Sequence, residues 1–245
     1  RDVLGITVAI SALMEESGVK FGTSGARGLV TDMTDKVCYA YTMGFLKYLE
    51  SVGELPGENT RVAVAGDNRS STDRVMMAVS RAVADAGYTP VNCGKVPSPA
   101  VALFGMREAI PAVMVTGSHI PDDRNGIKYN KATGEILKKD ETGIKAQSVT
   151  LPDLFDDAGM FSDPQTIPPV DDRAAVIYVK RWLDAFGRGC LAGKRIGLYE
   201  HSAVGRDLLY EIYTGLGAEV TRLARSEAFI PVDTEAIRPD DVRLA

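Results

Sequence analysis

The chain has 245 residues, 45% hydrophobic and 25% charged, a globular balance large enough for one domain and part of another. Its net charge of −5 argues against a partner needing a broad basic face, so nucleic acid is not expected, whereas a small anion met by a few local cations is. No apolar run reaches the roughly 20 residues of a membrane helix, and Cys38, Cys93 and Cys190 are too few and scattered for a zinc module or a disulfide framework, which fits a reducing, cytoplasmic setting.

Residues 3–13 are apolar and lead into Glu15 and Glu16 without a cleavage signal, so they read as a solvated or packed N-terminal helix rather than a leader. Arg61 to Ala65 is a buried strand ended by Gly66-Asp67-Asn68. Thr72 or Asp73 caps the next helix, where Val75, Val79, Val83 and Ala86 recur at helical spacing. Gly87 closes it. Pro90 to Cys93 is a strand, Ala100 to Arg107 a short helix, and Ala112 to Val115 another buried strand. Ile127 to Asn130 and Glu135 to Leu137 form two strands around the polar turn Lys131-Ala132-Thr133-Gly134. The fold class expected is α/β, a mixed, mostly parallel sheet layered with helices over residues 1–150.

Residues 151–172 are rich in Pro and Asp and introduce a second, similar unit over 165–245. There Arg173 to Phe186 is helical, Arg195 to Tyr199 is a strand, Ser202 caps a helix to Leu216, and Glu219 to Leu223 is a strand. A further helix begins near Arg238-Pro239-Asp240-Asp241. One strand-helix-strand unit is too small to close a core alone, so this part reads as an incomplete domain.

Ser118 lies just beyond the Ala112–Val115 strand, where open α/β sheets place their ligands. Thr116 and Gly117 permit a tight, exposed backbone whose N–H groups can meet an anion. His119, Asn125, Gly126 and Lys128 follow within ten residues, a grouping suited to phosphoryl transfer, which needs positioning and charge neutralisation. The plain alternative is a polar turn. A hydrolase reading fails, because Ser118 lacks the Gly-x-Ser-x-Gly elbow and His119, its neighbour in extended backbone, points to the other side. Two further segments hold small residues around a cation. Phe21-Gly22-Thr23-Ser24-Gly25-Ala26-Arg27-Gly28 is either a phosphate loop clamped by Arg27 or a glycine-rich hairpin. Gly66-Asp67-Asn68-Arg69-Ser70-Ser71 reads as a capping turn in which Asp67 and Arg69 pair for structure. Gly193-Lys194 is not a Walker loop, since the glycine spacing is wrong and Arg195 replaces the hydroxyl residue.

Taken in order, Phe21–Gly28, Gly66–Ser71, Thr116-Gly117-Ser118-His119-Ile120-Pro121 and Asn125-Gly126-Ile127-Lys128 resemble the motifs of the α-D-phosphohexomutases, the family of phosphomannomutases and phosphoglucomutases. The resemblance covers the first 150 residues well and the rest more loosely. It implies a phosphorylated Ser118 that exchanges phosphoryl groups with a hexose 1- or 6-phosphate through a bisphosphosugar. It further implies catalytic roles for His119, Lys128 and Arg27, and phosphate or substrate contacts at Thr116, Gly117, Asn125 and Gly126. Mg²⁺ would sit on the Ser118 phosphate. Ile120 departs from the Asn common in the family, and no Asp-Gly-Asp-x-Asp-Arg metal loop occurs. The resemblance thus implies the N-terminal portion of a longer enzyme, inactive alone, acting on a small phosphosugar without nucleic acid or membrane. The rival is a non-catalytic sugar-phosphate-binding module; neither the hexose nor the oligomeric state is legible.

Overall fold

A computed structural model describes residues 5–22, 24–55, 57, 60–231 and 239–244. Thr23 of the glycine-rich segment, the first residues of the expected N-terminal helix and Arg238 lie outside them. In chain order the first unit comprises β1 (Ile6–Ala9), α1 (Ile10–Ser17), β2 (Lys20–Gly22), β3 (Gly25–Leu29), α2 (Asp35–Ser51) and β4 (Arg61–Gly66). It continues with α3 (Thr72–Asp85), β5 (Thr89–Lys95), α4 (Ser98–Glu108), β6 (Ala112–Val115), β7 (Arg124–Lys131), β8 (Gly134–Glu135), α5 (Lys138–Lys145) and β9 (Ser148–Leu151). The second unit has α6 (Arg173–Phe186), β10 (Arg195–His201), α7 (Arg206–Gly215), β11 (Glu219–Arg225) and α8 (Pro239–Leu244).

Seven strands form the main sheet in the order β2-β3-β7-β6-β4-β5, with β8 added beside β7. The α/β class and the mixed sheet are as expected. Parallel pairing is confined to β6–β4 and β4–β5, however, and every other pair is antiparallel. The connection from β6 to β7 spans only residues 116–123, too short for the crossover a parallel partner needs, so β7 must run back. The parallel portion is therefore narrower than the strand-helix alternation implies.

Strict alternation along the central strands divides the apolar residues between two faces. Val62, Val64, Val113, Val115, Ile127 and Tyr129 face a core made with α2, α3 and α5. Ala63, Ala65, Ala112 and Met114 face α4, and behind α4 the second unit adds Ala174, Tyr178, Val179, Ile212 and Leu216 to the same cluster. The aromatic run of α2 is core: Tyr39, Tyr41 and Phe45 are fully buried, with the Phe45 ring tilted against Tyr129 at a centroid distance of 4.6 Å.

Four local expectations change. The N-cap of α3 is Ser71, without a side-chain cap, rather than Thr72 or Asp73. The apolar N-terminal stretch is a strand followed by a helix rather than one helix, because Ile6–Ala9 pairs antiparallel with Ser148–Leu151. Leu137 is not in a strand but precedes α5, where Asp140 caps through the Leu137 N–H at 2.8 Å. Ser202 does not cap α7, whose N-cap is Gly205; its Oγ instead accepts from the Ile230 N–H at 2.8 Å. No described helix is long and apolar enough to cross a membrane.

Candidate functional site

The Ser118 loop is built on one carboxylate. Asp67, just past β4, accepts from the Thr116 hydroxyl at 2.9 Å and the Gly117 N–H at 3.2 Å through one oxygen. Through the other it accepts from the Arg69 N–H at 3.0 Å and the Thr72 hydroxyl at 2.6 Å. Thr116 relays the constraint, its hydroxyl accepting from the Ser118 N–H at 2.9 Å. The neighbouring ends of β4 and β6 are thus joined by one buried side chain, and the loop is held before any ligand arrives.

Arg69 grips the same loop from beneath. Its guanidinium donates to the carbonyls of Pro121 at 2.7 Å, Arg124 at 3.0 Å and Ile120 at 2.6 Å, with that of Ser118 at 3.4 Å. Its Nε lies 3.4 Å from Asp67, so the expected Asp67–Arg69 pair is present. Burial lowers the guanidinium's affinity for its proton while Asp67 opposes that; Arg69 stays charged. Position 117 must be glycine, since a Cβ there would lie 2.3 Å from the Arg69 Cζ.

Ser118 itself adopts φ +53°, the left-handed region. This overturns the expectation that His119 points away, which assumed extended backbone. The turn brings the His119 Nδ1 to 3.3 Å from the Ser118 Oγ. Ser118 and His119 line a cleft of about 480 Å³ with Asp67 and Thr116 on one side and His201, Ser202 and Phe229 of the second unit on the other. Both histidines of the chain border this cleft.

Arg27 and Lys128 come from neighbouring antiparallel strands. Arg27 pairs with Gly126, Gly25 with Lys128, and Lys128 with Met114 on its other side. Since Ile127 and Ala26 face the α2 side, Arg27 and Lys128 share the opposite face, that of Met114 and the cleft. The Thr116 N–H donates to the Gly126 carbonyl at 3.0 Å, and a Cβ on Gly126 would lie 3.2 Å from the Arg27 Cγ. The missing side chain at 126 lets the Arg27 stem lie close to the strand carrying Ser118. Both cations are half-buried and have no hydrogen-bond or ion-pair partner among the described residues. In the Phe21–Gly28 segment β2 and β3 pair antiparallel, and β7 lies between β3, which carries Arg27, and β6, which leads to Ser118. The hairpin of the two alternatives is the one seen.

Asn125 differs from its expected place. It is fully buried, donates to Ser71 at 2.8 Å and Thr72 at 3.2 Å, and accepts from the Gly126 N–H. It ties β7 to the start of α3 instead of lining the cleft, because the α3 hydroxyls satisfy its amide. Among the described residues no cluster of three or more His, Cys, Asp or Glu is placed to hold a metal ion. Asp67, the nearest carboxylate to Ser118 in the cleft wall, has both oxygens engaged, so these residues do not supply a Mg²⁺ ligand set.

Residues 18–151 match the family model of the phosphoglucomutase/phosphomannomutase α/β/α domain I. That match covers more than half of the chain, and the protein belongs to the phosphoglucomutase/phosphomannomutase family. The phosphomannomutase of Salmonella muenchen is 42% identical over 229 residues, covering 94% of this chain and 45% of that protein. The phosphomannomutase of Sinorhizobium fredii is 42% identical over 225 residues, covering 90% and 46%. The crystal structure of a phosphoglucomutase/phosphomannomutase family protein from Burkholderia thailandensis shares the fold, with a TM-score of 0.63 at 21% identity over 90% of this chain and 45% of that one. The chain spans about half the length of the curated relatives it matches.

Proposed function

We propose that the complete protein is a cytoplasmic phosphohexomutase, interconverting hexose 1-phosphate and hexose 6-phosphate with Ser118 as the phosphoryl carrier. The observation that carries this reading is the preset Ser118 loop at a cleft beside two cations, Arg27 and Lys128, that no anion among the described residues neutralises. In the forward step the phosphoserine P–O bond breaks as a sugar hydroxyl forms its own P–O bond. The hydroxyl proton passes to His119, while Lys128 meets the charge on the moving phosphoryl group, and Ser118 regains a proton as it leaves. The bisphosphosugar then turns over and returns its other phosphoryl to Ser118. Arg27 holds the non-reacting phosphate as a bidentate donor, while Gly117 and Gly126, expected as phosphate contacts, instead make room for Arg69 and for the Arg27 stem. Residues 165–245 are the opening part of a second α/β domain whose metal loop lies elsewhere. Mg²⁺ on the phosphoserine would offset charge, and the described residues supply no ligand set for it.

The test is incubation of the chain with hexose 1,6-bisphosphate, followed by intact mass and peptide mapping. The expected result is one added phosphate, about 80 Da, on Ser118 and none in Ser118→Ala. Phosphate on another residue, or tight sugar-phosphate binding with no transfer, overturns the reading; the second outcome describes a binding module. Isolated turnover near that of a full-length mutase would overturn the assignment of this chain as an incomplete catalyst.

A further inference from the structure

The Arg69 clamp has a lid from the other unit. The face of Phe229 lies 4.8 Å from the Arg69 guanidinium, at cation–π distance. Phe229 follows β11, and two anchors hold its segment. Arg206 donates to the Ser226 carbonyl at 2.6 Å, and the Ile230 N–H donates to the Ser202 hydroxyl at 2.8 Å. The Ser202 carbonyl in turn accepts from the Asn68 amide at 3.0 Å, one residue from Arg69. Arg69 and Phe229 therefore meet where the two units are already joined.

The carbonyls of Ile120, Pro121 and Arg124, with that of Ser118 more distant, converge on one side chain. Gathering those oxygens on the buried side of a short loop fixes its peptide planes. It also keeps their negative ends away from the cleft, where an anion must come. A guanidinium that loses its cover can bond to water instead, and the loop then loses its common anchor.

We propose that Phe229 is a positioning residue: by covering Arg69 it fixes the carbonyl-gathering geometry that aims Ser118 into the cleft, so the second unit governs how readily the first accepts a phosphoryl group. This rests on Ser118 being the phosphoryl acceptor. It assigns no contact with substrate to either residue.

The experiment uses the whole chain and two readouts, amide hydrogen exchange over residues 117–124 and the single-turnover rate of Ser118 phosphorylation by hexose 1,6-bisphosphate. Phe229→Ala should speed exchange in that loop about fivefold to tenfold, the scale of one lost cation–π contact, with β4 and β6 amides unchanged. Transfer to Ser118 should slow about tenfold or more, while bisphosphate affinity changes less than about threefold. Phe229→Tyr should restore both readouts, and Phe229→Leu, which fills space without a ring face, should not. Parent-like behaviour of Phe229→Ala, or full rescue by Leu, overturns the proposal. If the parent takes no phosphoryl group, the Ser118 reading fails, and the exchange readout still decides whether Phe229 holds the loop.

Discussion

Two strand-helix-strand units with the same local pattern, β4–α3–β5 and β10–α7–β11, have very different surroundings. Val62, Ala63, Val64 and Ala65 of β4 are fully buried, since β5 and β6 flank that strand and helices cover both faces. β10 and β11 pair only with each other among the described residues, leaving Tyr199 and Leu223 more than a third exposed. The difference teaches that a parallel pair draws its stability from its neighbours rather than from its own sequence. Ionic groups differ in setting too, although the second unit also buries Glu200 beside Arg222. In the first unit Asp140 is buried beside Tyr48, at 2.7 Å, and Lys131. In the second, Asp207 lies on the surface between Arg225 and Arg222, whose hydrogen bonds, led by Arg225, bring its carboxyl to about 2. Such exposed pairs contribute little each.

The sharpest test of that contrast is a cavity in the first core. Phe45→Ala should cost about 3–5 kcal/mol, read as a lower urea midpoint by far-ultraviolet circular dichroism. A loss below about 1 kcal/mol would mean that this core is not the main source of stability.

Asp140→Asn should cost about 1–3 kcal/mol near neutral pH, because it weakens a buried polar network. Burial pushes the Asp140 carboxyl up, but the Leu137 N–H, the Tyr48 hydroxyl and Lys131 outweigh it and hold the group below its ordinary value. A depressed folded-state value gives stability that is complete above the unfolded value and is lost as pH falls through the folded one. The variant should therefore show a flatter decline than the parent below about pH 4, measured by urea titrations at stepped pH. Parallel declines would remove Asp140 from the acid response.

Leu223→Ala, on the exposed β11, should cost less than about 1 kcal/mol in the same titration. A cost matching that of Phe45→Ala would erase the distinction between the two units.

Much of the first unit was legible because its central strands are short apolar runs bounded by turns. Ala112–Val115 is a strand with the bounds expected, and Arg173–Phe186 of the second unit is likewise the helix expected. α5 was not legible. Its buried positions include Asp140 and Glu141, held by ion pairs and hydrogen bonds rather than by apolar spacing. β1 was hidden because its partner, β9, lies some 140 residues away along the chain. At the site, the Asp67–Arg69 pair could be read from the turn after β4. The reach of Arg69 to carbonyls about 50 residues further on could not, because no local pattern records it. The His119 error had a single cause: one positive φ at a non-glycine residue reverses the side-chain alternation assumed for extended chain.

The two-stranded sheet of β10 and β11 also bears on how this chain behaves at high concentration. Among the described residues each of its outer edges is unpaired, a template on which a second molecule can add a strand. Arg222 and Arg225 on β11 and Arg195 on β10 place charge along those edges, so that stacking two copies would bring like charges together. The arginines that knit the second unit's network thus double as gatekeepers, and neutralising them would raise the tendency to aggregate while also leaving the buried Glu200 carboxylate without its partners.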